Sequence, residues 1–489
     1  MSFAVVGLRT ECRDIPFGVE LQRPRLSWRL QSDRLGARQV AYRVRVATSV
    51  EALTQGGADV WDSGKVDSTR CFDVAYDGPP LQSRQRCWWT VRAWDDVGES
   101  SEAAPAWWEM GLLRPEDWSA EWLAVENDED RADRETGLAW IWSHDQPEAE
   151  PRRFRLRFRL ERPVAAAALF VVARGRLSAL ALDGAPVETP QANPHAFGQE
   201  GMARLELGAL ASGDHVLAAE VAKVARPRDP RPWRGALGAM LKLTSADGSS
   251  QRLAGDGAWK TSLNADAGWS QPDYDDGGWD DAEPAEGRAN QAWPPTSAML
   301  LRTAFEAATP PTQARLHVTA LGAYEAFLNG ARIGDALLAP ESTDFRQRVL
   351  YQSHDVTDLV RTGRNVLGAH VGDGWYASVV APGGRYAFGP APRRLLAQLE
   401  LSFADGSRKV VGSGPGWRTL PSPVVQSEIY NGETWDARRE TPGWSEAEFT
   451  DDDWAPASIA DPPPGRLCAQ PDPPIRVTQT LTPQTVSEP

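Results

Sequence analysis

Apolar and polar positions alternate through most of the chain with a period of two, the spacing of half-buried strands, and no sustained helical period appears. Within residues 300–376, Ala314, Leu316 and Val318 fall on one face, and Arg315, His317 and Thr319 on the other. A second run, Tyr324-Glu325-Ala326-Phe327-Leu328, meets Asn329-Gly330, and Ala331-Arg332-Ile333-Gly334 returns. Asn-Gly between two such runs predicts a type I′ hairpin, because both residues tolerate positive φ. The same alternation marks Pro24-Arg25-Leu26-Ser27-Trp28-Arg29-Leu30, Ala41-Tyr42-Arg43-Val44-Arg45-Val46-Ala47 and Cys87-Trp88-Trp89-Thr90-Val91-Arg92-Ala93-Trp94. Turn residues separate these runs at Asp62-Ser63-Gly64 and Asp77-Gly78-Pro79-Pro80. Several short strands within about 100 residues predict an immunoglobulin or fibronectin-like β-sandwich over residues 1–113. From Phe154 the alternation places Phe154, Leu156, Phe158 and Leu160 on one face. Arg155, Arg157 and Arg159 take the other, expected to be the solvent face of a sheet.

Two stretches echo each other. Leu180-Ala181-Leu182-Asp183-Gly184-Ala185-Pro186-Val187 parallels the hairpin at Asn329-Gly330. Gly213-Asp214-His215-Val216-Leu217-Ala218 parallels Gly363-Arg364-Asn365-Val366-Leu367-Gly368. Gly255-Asp256-Gly257-Ala258-Trp259-Lys260-Thr261 answers Gly414-Pro415-Gly416-Trp417-Arg418-Thr419. Gly268-Trp269-Ser270, then Asp275, Asp276 and Trp279, answers Gly443-Trp444-Ser445, then Asp451, Asp452 and Trp454. The pattern predicts an all-β chain with two tandem jelly-roll sandwiches after the first module: a diverged copy over 118–297 and a second copy over 298–460. The paired tryptophans are expected to brace a terminal strand, and Asp451-Asp452-Asp453 to form a solvated turn rather than a Ca²⁺ site. Residues 461–489, with Asp461-Pro462-Pro463-Pro464-Gly465 and Pro471-Asp472-Pro473-Pro474, have the composition of a linker toward a further domain.

Composition sharpens this picture. A chain of 489 residues exceeds one ordinary core and predicts about three domains. A formal charge of −15, with no basic stripe, argues against nucleic acid, and no apolar run approaches the ~20 residues of a membrane helix. The N-terminal residues lack a basic signal-peptide region, so a cytoplasmic location is expected. Cys12, Cys71, Cys87 and Cys468 have neither C-x-x-C spacing nor histidine companions, so structural or free thiols are expected rather than zinc ligands. Twenty-one tryptophans are high for the length; most are assigned to core and inter-domain packing, leaving a few for sugar stacking.

An ordered series of short motifs carries a resemblance. It comprises Pro24-Arg25-Leu26-Ser27-Trp28, Trp61-Asp62-Ser63-Gly64-Lys65-Val66 and Val91-Arg92-Ala93-Trp94-Asp95, then Ala320-Leu321-Gly322-Ala323-Tyr324-Glu325 with Leu328-Asn329-Gly330. It continues with Leu338-Ala339-Pro340, Val349-Leu350-Tyr351-Gln352, Asp355-Val356-Thr357 and Gly372-Asp373-Gly374-Trp375-Tyr376. It ends with Tyr430-Asn431-Gly432-Glu433-Thr434-Trp435-Asp436-Ala437-Arg438. In this order the chain resembles the N-terminal, non-catalytic half of bacterial α-L-rhamnosidases. The resemblance implies a fibronectin-like module and galactose-binding-like jelly rolls. In the family a further β-sandwich and an (α/α)₆ barrel follow, and the barrel carries an inverting acid and base. The partners it implies are L-rhamnose-containing glycosides or polysaccharides and a C-terminal catalytic domain that this chain lacks.

No catalytic residue carries over, and the chain alone is expected to be inactive. Glu433 and Asp436 do not make an acid–base pair, since i and i+3 on a strand point to opposite faces. Sugar contacts are expected at Asn329, Asp344, Asp373, Trp375 and Tyr376, with Asp344 and Asp373 holding a Ca²⁺ ion in a jelly-roll loop; no cofactor is required. Glu341-Ser342 stands where family members often carry Gly-Trp. The competing readings are a stand-alone carbohydrate-binding protein and a structural multi-sandwich protein.

Overall fold

Nearly every element is a strand, and among the described residues the strands form three two-sheet units and a separate hairpin, Val424–Glu428 with Gly432–Trp435. The structure, a computed structural model, describes residues 3–14, 16–144, 151–188, 203–222, 235–254, 258–285, 296–378, 386–430, 432–483 and 485. Gly255-Asp256-Gly257 of the repeat and Asn431 of the last motif lie outside the described residues. Among the described residues no helix is long and apolar enough to cross a membrane, and no two of the four cysteines are bonded.

In the immunoglobulin-like module one sheet orders Ala4–Thr10, Arg25–Gln31 and Val74–Ala75. The other orders Trp61–Asp62, Gln39–Ala47, Arg86–Asp95 and Ser100–Glu102. Alternate residues of these strands, Leu26, Trp28, Val44, Val46, Trp89 and Val91, fill the space between the sheets. Each such side chain contributes about 1.5–3 kcal/mol on leaving water.

The two later sandwiches repeat each other strand for strand. One sheet of the first orders Ala185–Pro186, Arg176–Leu182, Gly213–Ala222, Arg152–Leu160, Trp259–Ser262 and Asp280–Asp281. Its counterpart orders Ala331–Arg332, Ala323–Leu328, Gly363–Gly372, Met299–Ala307, Arg418–Pro421 and Ala455–Pro456. The facing sheets correspond likewise: Ala203–Leu210, Val164–Arg174, Ala236–Thr244 and Trp140–Trp142 against Arg348–Asp355, Gln313–Leu321, Arg394–Ser402 and Leu123–Ala124.

The units are nested. Leu123–Ala124 pairs with Arg394–Ser402, Leu123 opposite Leu395, so the later sandwich takes its first strand from residues expected to open the earlier one. Between that strand and Met299–Ala307 the whole first copy is inserted; its strands Trp140–Trp142 and Glu283–Pro284 are neighbours, so the chain leaves and returns at one place. We call the units the inserted and the host sandwich. Arg466–Ala469, within the expected linker, runs parallel to Arg348–Asp355 and extends the host sheet. Two-residue and proline-flanked strands leave no readable periodicity, and proline, lacking an N–H, confines such a segment to a sheet edge.

The expected solvent face holds for Arg157 and Arg159, both exposed, but not for Arg155. Arg155 is 0% exposed, because the segment containing Trp269 and Asp276 folds over it. Its Nε bonds Asp276 at 2.8 Å. The equivalent Arg302, also 0% exposed, pairs with Asp451 at 3.0 Å. In each copy the tryptophan three residues on donates its N–H to that aspartate's carbonyl at 3.0 Å, Trp279 to Asp276 and Trp454 to Asp451. The acidic run at 451–453 thus holds a turn and a buried guanidinium. Trp269 stacks on Trp279, whereas Trp444 packs on Phe327 and Trp454 on Phe449.

Candidate functional site

Asn329 and Gly330 have φ of 51° and 85°, as the expected type I′ turn requires. The Asn329 side chain is spent on the neighbouring strand. Its Nδ2 donates to Leu359 O (2.9 Å) and Asn365 Oδ1 (2.7 Å), and its Oδ1 accepts from Val366 N (2.9 Å). Asn365 in turn donates to Arg361 O at 2.7 Å. The inserted sandwich builds the same latch from charged residues. Asp183, at φ 52°, accepts from Val216 N (2.7 Å) and meets His215 Nδ1 (2.7 Å), while His215 Nε2 meets Ala211 O (2.8 Å). Burial lowers the His215 pKa, but the bonds to Asp183 and Ala211 outweigh it and the net shift is upward.

The other four expected residues lie at the opposite end of the strand pair. Ala323 faces Gly372 and Leu328 faces Leu367, so a six-residue strand separates Asn329 from Asp373, about 20 Å at ~3.3 Å per residue. Asn329 therefore belongs to the framework and not to a common site with Asp373.

Asp344 is partly exposed and held by Arg346, with Nε and Nη2 each at 2.8 Å; these bonds keep its carboxyl below the usual range. Asp373 is fully buried and faces Arg393 Nη1 at 3.2 Å. The next residue, Gly374, has φ 52°, and a Cβ there would lie 2.3 Å from Ala323 N, so only glycine fits. Trp375 is half-buried at the edge of a cluster containing Trp122, Phe345, Tyr376 and Tyr386. Tyr376 is 1% exposed, donates its hydroxyl to Pro390 O at 2.5 Å, and meets Phe345 and Tyr386 edge-on. Burial raises its pKa.

The loops of Asp344 and Asp373 do meet, through Phe345 against Tyr376, but their carboxylates serve separate arginines. This donor set does not fit a Ca²⁺ ion, which takes six to eight oxygens with negative charge in excess. Among the described residues no group of three or more His, Cys, Asp or Glu is placed to hold a metal. Glu433 is exposed on the hairpin strand Gly432–Trp435. Asp436 caps the following turn and binds Arg438 at 2.8 Å, which pulls its carboxyl down to about 2.

A grouping that sequence reasoning missed lies where the immunoglobulin-like module meets the host sandwich. A cleft of about 860 Å³ is walled by Glu20, residues 112–115, Trp118, residues 120–122, Leu396 and residues 459–467. Several contacts join the two modules at this seam. Leu112 N donates to Tyr351 Oη at 2.9 Å. Arg84 bridges Asp117 (2.9 Å) and Glu400 (2.6 Å), and Arg315 pairs with Glu109 at 2.6 Å. These partners are separated by up to 316 residues in sequence, so no local signal announces them.

The comparisons with known proteins follow the same modules. Residues 5–114 match the family described as the Rha78A-like, N-terminal immunoglobulin domain, and residues 309–479 the α-L-rhamnosidase N-terminal domain. An α-L-rhamnosidase of Streptomyces avermitilis is 39% identical, over 97% of this chain and 46% of its own length. One from Formosa agariphila is 23% identical, over 96% and 35%. The chain thus spans about half or less of the curated relatives it matches. Among solved structures, the Streptomyces avermitilis α-L-rhamnosidase complexed with L-rhamnose aligns with a TM-score of 0.75 at 36% identity, covering 98% of this chain and 47% of that one. An α-L-rhamnosidase from Dictyoglumus thermophilum aligns at 0.60 and 23% identity, covering 98% and 37%, and supports the fold alone.

Proposed function

We propose that this chain, which matches α-L-rhamnosidases over nearly its whole length, is a portion of such an enzyme and serves the hydrolysis of L-rhamnose-containing glycosides as a bracing scaffold, not as the source of acid and base. The observation that carries the reading is the seam between the immunoglobulin-like module and the host sandwich. Arg315 and Glu109 pair there with side chains 7% and 5% exposed, and Arg84 spans both units. An interface crossed by buried, hydrogen-bonded ion pairs fixes the relative placement of the modules, because parting it takes Glu109 and Arg315 from each other and leaves each with a partner only in its own unit, Arg86 and Asp355. The loop carboxylates support the same reading. An inverting glycosidase needs two carboxyl groups about 6.5–9.5 Å apart, one of them protonated, whereas Asp344 and Asp436 are held as ionised partners of arginines.

Purified chain incubated with p-nitrophenyl α-L-rhamnopyranoside is expected to release no nitrophenol; turnover that a carboxylate substitution in this chain removes would overturn the reading. Limited proteolysis tests the brace. The connector at residues 113–118 should resist cutting, and Glu109→Gln should expose it. Equal resistance in the variant would count against a fixed seam.

A further inference from the structure

We infer that the cleft at this seam is a binding site for a neutral saccharide, with Trp118 as the stacking plane and Glu20 as a hydroxyl acceptor. The choice of sugar rests on the reading above; the site itself rests on its geometry. A volume of about 860 Å³ lies within the range of small-molecule sites, roughly 300–1,000 Å³. Trp118 is half-buried at the cleft wall and held edge-on by Tyr351 (5.2 Å, 86°) and His317 (6.1 Å, 72°). A ring fixed before binding loses little freedom when a pyranose lies against it.

Glu20 adds the polar half. It is half-buried and lines both this cleft and an adjoining one of about 220 Å³. Burial raises its pKa, opposed by bonds from the Ala469 backbone and the Tyr351 hydroxyl and by the charge of Arg466. A carboxyl already stripped of much of its water accepts a sugar hydroxyl with little further desolvation. Its position is rigid. Tyr351 is held by Leu112 N, and a Cβ on Gly111 would lie 2.4 Å from the Tyr351 hydroxyl. Pro462-Pro463-Pro464 forms a stiff rim with few conformations to lose. The charge balance selects the class of ligand. Glu20, Glu121 and Asp461 outnumber Arg114 and Arg466 among the lining groups, which disfavours uronates and sulfated sugars.

Calorimetry of the full chain with methyl α-L-rhamnopyranoside and with a rhamnosyl-glucose disaccharide tests this. Saturable heat is expected with at least the disaccharide. Glu20→Gln and Trp118→Phe should each weaken binding by several-fold, and Trp118→Ala by about tenfold or more. Trp435→Ala, on an exposed hairpin that does not line the cleft, should leave it unchanged. Thermal melting of each variant separates lost binding from lost fold, and Glu20→Gln and Trp118→Phe are the conservative changes if Trp118→Ala unfolds. No heat with either sugar at millimolar concentration, or heat untouched by Glu20→Gln and Trp118→Phe, would overturn the inference. Neither outcome bears on the scaffold reading, which the turnover and proteolysis experiments judge.

Discussion

Neutralising Asp451 in the host sandwich should cost far more than an acidic residue in a turn would suggest. Arg302 is 0% exposed, and its guanidinium has Asp451 Oδ2 at 3.0 Å, Phe449 O at 3.2 Å, Glu446 O at 3.1 Å and the Phe449 ring at 5.2 Å. Burial pulls the Arg302 pKa down and Asp451 pulls it back. Asp451→Asn therefore leaves a buried cation facing only neutral acceptors, a change that costs about 3–5 kcal/mol where the charge is fully enclosed. The Asp451 side chain is 18% exposed and both carbonyls remain, so the lower end, about 3 kcal/mol, is expected. At about 2–4 °C per kcal/mol for a unit of this size, one calorimetric transition should fall by roughly 6–12 °C. Replacing both partners, Arg302→Met with Asp451→Leu, should recover much of the loss, because no charge is then stranded. The inserted copy supplies the control. Asp276 is shared between Arg155 (2.8 Å) and Arg157 (2.9 Å), so Arg155→Met leaves it a partner and should cost less than Arg302→Met. A shift under about 1 kcal/mol for Asp451→Asn, or a double variant no better than the single, would refute the buried-charge argument.

Other consequences follow from the same contacts. With its pKa raised in the folded state, His215 contributes stability that is complete below about pH 6.5 and lost as pH rises through the folded value. The inserted sandwich should thus melt lower at pH 8 than at pH 6, and His215→Asn, copying the neutral latch of the host, should flatten that dependence; a wild-type profile already flat would count against it. His317 acts in the opposite sense. Burial between Trp118 and Tyr351 pushes it down to about 4, so its contribution is full above the unfolded value and fades as pH falls from about 6.5 through 4. Proteolysis at the seam by an acid-tolerant protease should accelerate near pH 4, and less so in His317→Gln. Gly374→Ala should destabilise the host sandwich by at least about 2 kcal/mol, measured by denaturant midpoint, since the φ of 52° is strained for alanine and its Cβ would meet the Ala323 backbone.

The sandwiches were legible because burial on one face of a strand forces a period of two, and because a duplicated unit writes its pattern twice. The Asp-x-x-Trp spacing at Asp276–Trp279 and Asp451–Trp454 is such a mark, and it survives because the same aspartate carbonyl and buried arginine are needed in both copies. What alternation could not show is a second layer. Arg155 has the sequence position of a solvent-facing residue and becomes interior only because a segment more than 100 residues later covers it. Nesting was hidden for a similar reason, since Leu123–Ala124 is too short to carry a period and its pairing to Leu395 is remote.

The duplication also separates framework from function among the expected site residues. A residue whose counterpart makes the same bond in the other copy is held by the fold. Asn329 fails as a sugar ligand on that ground, because Asp183 bonds Val216 as Asn329 bonds Val366. Selection on the latch is selection on strand placement, and it tolerates Asp with His in one copy and Asn with Asn in the other because both satisfy the same buried donors and acceptors. Trp118 and Glu20 escape this test. They lie on the connector and the first module, which the inserted copy lacks: its own first strand follows the helix Asp128–Thr136 instead. Their placement beside an open cleft is therefore not explained by the needs of a repeated sandwich, and that asymmetry makes the seam, rather than the loops around Asp373, the place to look for a ligand.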